Sequence, residues 1–134
     1  MNSIFDSNIF IGAIHSKDTN NKRAVEILKD FENQNHQTVY ITNYVVLEVL
    51  NFLLKKIPFP EALGTYNYLT ETSRIKVLYV DQFMNQTIKE LFKKYKSLSL
   101  TDCSLIVLSQ MHDIKTIHSF DHGFDKVKEI KRIH

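Results

Sequence analysis

Four acidic residues lie inside apolar runs, where carboxylates are costly. Asp6 follows Ser3-Ile4-Phe5 and precedes Asn8-Ile9-Phe10-Ile11. Glu48 interrupts Tyr44-Val45-Val46-Leu47 and Val49-Leu50. Asp102 opens onto Cys103-Ser104-Leu105-Ile106-Val107-Leu108, and Asp121 closes Thr116-Ile117-His118-Ser119-Phe120. A carboxylate in apolar surroundings loses hydration and needs a cation or hydrogen bonds in return. Four that converged would repel each other unless a positive ion lay between them, and hard oxygen donors suit Mg²⁺ or Mn²⁺. Taken singly, Asp6, Asp102 and Asp121 each precede a helix-like segment, where Asp is a favoured cap. Glu48 has no such role. It sits within an apolar helical stretch with no Lys or Arg three or four residues away, and a charge buried there would need a partner or a metal.

The elements that must position these acids alternate between strand and helix. Ser3 to Phe5 reads as a short strand and Asn8 to Ile14 as a short helix. A helix start near Asp18-Thr19 leads into Ala24, Val25, Ile27, Leu28 and Phe31 at helical spacing. Thr38 to Ile41 is β-branched and aromatic, hence a strand. Thr42 or Asn43 caps a helix to about Lys56, and Pro58 and Pro60 separate it from another over Glu61 to Ser73. Lys76 to Val80 is a third strand. Gln82 to Tyr95 is an amphipathic helix with Phe83, Ile88, Leu91 and Phe92 expected inward. Thr101 is expected to cap a helix to His112; Lys115 to His118 is a fourth strand, and Glu129 to Ile133 forms an edge strand. Strands separated by helices imply parallel pairing with covered faces. Sites on such sheets form at the carboxyl ends of the strands, which all four acids can reach.

The 134 residues suit one domain spanning 1–134. At 43% hydrophobic and 24% charged, the composition is that of a globular chain. A single cysteine, Cys103, excludes an internal disulfide and a cysteine-based zinc site, and it fits a reducing cytoplasm. The longest apolar runs fall well short of the ~20 residues a membrane span needs. The six His residues include no His-Glu-x-x-His pair, and no Gly-rich phosphate loop is present. The net charge of +2 coexists with the acidic cluster, so positive charge belongs on the rim. Lys17, Lys22 and Arg23 follow the first acid closely and are the expected phosphate contacts. The clusters Lys93-Lys94-Lys96 and Lys126-Lys128 are the next candidates. Apolar residues over Tyr44–Leu54 and Ala62–Leu69 exceed one small core, which points to a homodimer or partner surface.

The segments Phe5-Asp6-Ser7-Asn8, Thr42-Asn43-Tyr44-Val45-Val46-Leu47-Glu48, Ser99-Leu100-Thr101-Asp102-Cys103 and Ser119-Phe120-Asp121-His122-Gly123-Phe124-Asp125 resemble the PIN-domain nucleases. Among these the chain is most similar to the small stand-alone members, the VapC-type toxins of toxin–antitoxin pairs. The resemblance covers the whole chain; no one motif is specific, but the ordered set of four is. It implies an α/β fold of three layers, a central parallel sheet of four or five strands flanked by helices. It implies that Asp6, Glu48, Asp102 and Asp121 are metal-binding and catalytic, with Asn8, Thr101, Ser119 and Asp125 at accessory positions. The implied activity is that of a Mg²⁺- or Mn²⁺-dependent endoribonuclease, which hydrolyses RNA with metal-activated water and leaves a 5′-phosphate and a 3′-hydroxyl. An antitoxin protein is the implied partner. Two alternatives remain at this level: a PIN-like module that binds RNA or protein without cutting, and a metal-dependent phosphatase. A phosphatase with an aspartyl nucleophile would want Asp-x-Asp after the first strand, where this chain has Asp6-Ser7-Asn8.

Overall fold

The computed structural model describes residues 1–134. Five strands form one sheet: β1 (Asn2–Phe5), β2 (Thr38–Thr42), β3 (Ile75–Leu78), β4 (Thr116–His118) and β5 (Lys131–Ile133). Six helices connect them: α1 (Ser7–Ile14), α2 (Asn21–Asn33), α3 (Asn43–Leu53), α4 (Phe59–Glu71), α5 (Gln82–Tyr95) and α6 (Leu100–His112), with a short 3-10 helix at His122–Lys126. The strand order is β3-β2-β1-β4-β5 and every pairing is parallel. The expected α/β architecture is therefore present, with five strands.

The order explains where a site can form. The chain steps from β1 outward to β3, then returns to lay β4 on the other side of β1. Right-handed crossovers in opposite directions place their helices on opposite faces. The packing of α1 on α2 and α3, of α3 on α4, and of α5 on α6 agrees with that division. The reversal opens a crevice beyond the carboxyl ends of β1 and β4. The strands are covered on both faces: Ile4, Phe5, Val39, Ile41 and Ile117 are all within 1% of full burial. Phe5 packs on Phe10 and Phe31 on the α1–α2 side, while Tyr40 stacks on His112 of α6 across the sheet. A Cβ on Gly12 would stand 3.1 Å from the Cβ of Ala24, so glycine lets α1 and α2 approach.

Several expected details differ. The helix after Asp18 begins only at Asn21, because the Asp18 carboxylate turns the chain by accepting the Asn20 N–H at 2.8 Å. Ser99, not Thr101, caps α6, and α3 ends at Leu53 instead of Lys56. β3 ends at Leu78 because the Val80 N–H leaves the sheet for Asn43 Oδ1 at 2.8 Å. In α5 the buried stripe is Met84 and Ile88 with half-buried Leu91 and Tyr95; Phe83 is 80% and Phe92 45% exposed. Asp81 caps α5 through the Met84 N–H, and the stripe 84-88-91-95 is the one whose period meets the core.

Candidate active site

β1 is four residues long and leads directly into Asp6, whose backbone N–H is still bound to the His118 carbonyl at 3.0 Å. The Asp6 carboxylate thus emerges at the β1–β4 switch point. It caps α1 by accepting the Ser7 N–H at 2.7 Å, and it also accepts from Ser119 Oγ at 2.7 Å and Asn8 Nδ2 at 3.2 Å. Burial first, and the charge of Asp102 second, push this carboxyl up to about 7. The bonds from Ser119 and Ser7 oppose the rise, and Glu48 adds to it.

The other three acids line the same cleft, a space of about 460 Å³ that also takes in Asn8, Ser97, Ser99 and Phe52. Asp102 is the third residue of α6 and closes a capping box, accepting the Ser99 N–H at 2.9 Å while its own N–H donates to Ser99 Oγ. Its carboxyl is raised, chiefly by burial and further by the charges of Asp121 and Glu48. Asp121 accepts the Gly123 N–H at 2.8 Å and caps the 3-10 helix. The capping roles and the convergence coexist. Glu48 departs from expectation: it is exposed, not buried. Its apolar sequence neighbours do not bury it, since Leu47 is itself 60% exposed. Its Oε1 accepts from Ser7 Oγ, which also donates to Asp6 Oδ1 at 3.3 Å.

Each of Glu48, Asp102 and Asp121 spends one carboxyl oxygen on these bonds and leaves the other without a protein donor. No buried polar side-chain atom lacks a partner, so those free oxygens face solvent. As the side chains stand, no three acids are placed to hold one ion between them. The donor set nevertheless matches a hard divalent cation: free carboxylate oxygens around one cleft, with two carboxyls raised by mutual repulsion as well as by burial.

The accessory positions divide. Asn8 lines the cleft, donates to Asp6 and accepts the Phe120 N–H at 3.2 Å. Ser119 is fully buried and bridges Asp6 to the Asp121 N–H. Thr101 lies in an adjoining recess with Tyr44, Glu48 and Asn51. Asp125 stands apart, paired with Arg132 at 2.9 Å, and that guanidinium holds its carboxyl below the usual range. None of Lys17, Lys22 and Arg23 lines the acidic cleft. Arg23 pairs with Glu26 at 3.4 Å, and Lys17 lines a separate recess. Sequence reasoning missed Ser7 and Ser99. Ser99 had a signal, because it precedes Asp102 by the three residues of a capping box. Ser7 had none, since its link to Glu48 spans 41 residues.

Comparisons with known proteins bear on the family and the fold. The PIN domain family model matches residues 3–130. No curated protein matches the chain in sequence. Among solved structures, VapC20 of Mycobacterium tuberculosis, a sarcin–ricin-loop-cleaving toxin, is similar with a TM-score of 0.80 at 14% identity over 92% of each chain. A toxin–antitoxin complex from Klebsiella pneumoniae gives a TM-score of 0.65 at 19% identity, covering 96% of this chain and 95% of that one. VapBC2 of Rickettsia felis, bound to a promoter DNA fragment, gives 0.68 at 14% identity, covering 99% and 98%. At these identities the likeness establishes a shared fold.

Proposed function

The chain belongs to the PIN-domain family, and from that membership we propose that it is a metal-dependent endoribonuclease, the toxin of a toxin–antitoxin pair. The observation that carries the reading is the convergence of Asp6, Glu48, Asp102 and Asp121 on one cleft at the carboxyl end of the sheet. A Mg²⁺ or Mn²⁺ bound there would offset the clustered negative charge and acidify a water for attack on phosphorus. Ser119, Ser7 and Asn8 fix the orientation of the Asp6 carboxylate, which would be one of the oxygen donors to the cation. Ser7 draws Glu48 towards Asp6, and Ser99 holds Asp102 by one oxygen while the other stays open to the cleft. Glu48, exposed and held only through Ser7, would complete the set of oxygens around the cation. No side-chain nucleophile is required.

Unpaired RNA is the proposed substrate, because an open cleft at a sheet edge reaches a splayed phosphodiester more readily than one inside an A-form groove. Neighbouring structures that are toxin–antitoxin complexes support an antitoxin partner. The exposed apolar side chains Leu47 on α3, Leu54 just after it, and Leu63 and Tyr66 on α4 support a homodimer. We place the single domain in the cytoplasm, in keeping with one buried free cysteine; no helix is long and apolar enough to cross a membrane. The test is incubation with mixed structured RNAs, with Mn²⁺ or with chelator, followed by mapping of product ends. New 5′-phosphate and 3′-hydroxyl ends that appear only with metal are expected. The rival is a module that binds without cutting, against which the four intact acids of the cleft stand. RNA binding without metal-dependent cleavage would select it.

A further inference from the structure

Beyond the acidic cleft, a second recess of about 370 Å³ lies where α1 and α3 both end. Lys17, Lys55 and Lys56 line it together with His15, Ser16 and Glu61. None of the three lysines forms a salt bridge, and Glu61 is paired with none of them. Lysines in the last turn of a helix offset its macrodipole, but neither α1 nor α3 has a basic residue in its last turn, and these three lie beyond the helix ends. Three cations without an ion-pair partner around one hollow repel each other and would gain from an anion.

One ring joins this recess to the cleft. Phe52 lines the acidic cleft, while His15 packs on its edge at 5.7 Å between centroids and Lys56 Nζ lies 5.9 Å from its centre. His15 and Lys56 of the recess thus both touch a ring that lines the cleft. We infer that this recess is a phosphate-binding subsite, which holds a backbone phosphate of a single-stranded RNA whose neighbouring linkage lies in the acidic cleft. The inference rests on the nuclease reading of that cleft. It also moves the main basic contact away from Lys22 and Arg23 to a set in which Lys17 acts with Lys55 and Lys56. Glu61 is the one negative group in the recess and works against the phosphate.

The test is fluorescence anisotropy of a labelled single-stranded oligoribonucleotide of mixed sequence, read in chelator so that cleavage plays no part. Lys17→Gln, Lys55→Gln and Lys56→Gln combined should weaken binding roughly tenfold at low salt and reduce the log–log salt slope by about 0.7 for each phosphate that the lysines no longer neutralise. Glu61→Gln should tighten binding about twofold, which a variant that merely loosened the fold would not do. Lys115→Gln, at the amino end of β4 and so at the opposite end of the sheet from the cleft, should leave binding unchanged. Wild-type affinity and slope in the triple variant would overturn the inference, as would absence of binding by the wild-type chain at low salt. If an acidic peptide lost affinity in the triple variant while the oligonucleotide did not, the recess would dock protein and the inference would fall. A chain that binds in this way but never cleaves with Mn²⁺ would leave the subsite standing and remove the nuclease reading. Cleavage with an unaffected triple variant would do the reverse.

Discussion

The Ser119 hydroxyl donates to Asp6 Oδ2 at 2.7 Å, a bond between the exits of two neighbouring strands that are 113 residues apart in the chain. It stabilises the ionised form of a carboxyl that burial and Asp102 push up to about 7. Ser119→Ala should therefore raise Asp6 further. At pH 7 the rise in Tm caused by Mn²⁺ should shrink, and it should recover at higher pH as Asp6 ionises. Metal-free stability should drop by about 1 kcal/mol, because the Asp121 N–H loses its acceptor. An unchanged pH midpoint for the Mn²⁺ effect would count against the role given to this bond.

Two groups set opposing pH dependences of stability in the metal-free chain. Asp6 rises from 3.8 to about 7, so across that interval the folded chain holds a proton the unfolded chain has released, and stability falls as pH rises. His118 is lowered from 6.5 to about 4, by burial and then by the charge of Arg23. Over that interval the unfolded chain holds the extra proton, and stability rises with pH. Asp102, also raised, acts in the same direction as Asp6. The wild-type profile from pH 4 to 7 should fall with pH, less steeply than the two carboxyls alone would make it, because His118 opposes them. Asp6→Asn should tilt it upward with pH, and His118→Asn should tilt it downward. Urea melts across pH in chelator measure the slopes, and slopes unmoved by either replacement would refute this account.

Glu48 and Asp6 should separate in their effects. Glu48→Ala removes an exposed side chain and should stay within about 0.5 kcal/mol of wild type without metal. It should nonetheless lose cleavage and the stabilisation by Mn²⁺. Asp6→Ala should lose both as well, and its metal-free stability should gain on wild type as pH rises, because the cap on α1 is lost at every pH while the cost of the buried charge is relieved only where Asp6 would ionise. Thermal melts with Mn²⁺ and with chelator decide the matter. A full Mn²⁺ shift in Glu48→Ala would remove Glu48 from the metal site.

Arg74 closes the end of α2. Its Nη1 donates to the carbonyls of Phe31, Gln34 and Gln37 at 2.9–3.0 Å, and its guanidinium lies 4.4 Å from the centre of the Phe31 ring. A lysine offers no planar fork and cannot stack in the same way. Arg74→Lys should cost about 1–3 kcal/mol in urea unfolding and leave cleavage unchanged. A stability loss within error would mean that water serves those carbonyls equally well.

The amino-acid sequence by itself determined the order of elements, the parallel sheet and the four acids at its carboxyl edge. Each of these follows from local pattern: β-branched runs, helical periodicity, and carboxylates next to apolar stretches. Glu48 shows the limit of that logic. Apolar neighbours in sequence implied burial, but α3 leaves Leu47 and Glu48 exposed together, and which residues a neighbour covers is decided by packing. Phe83 and Phe92 were misplaced for the same reason, since the phase of α5 against the core is set by its packing on α6. The link from the Ser7 hydroxyl to Glu48 left no trace in the sequence, and Ser119 was legible as an accessory position but not as the donor to Asp6, because these partners arrive from other strands and helices. The lysines were visible as clusters along the chain. Only the meeting of the ends of α1 and α3 brought Lys17 beside Lys55 and Lys56, because charge that is distant in sequence becomes one field only when the backbone folds it together.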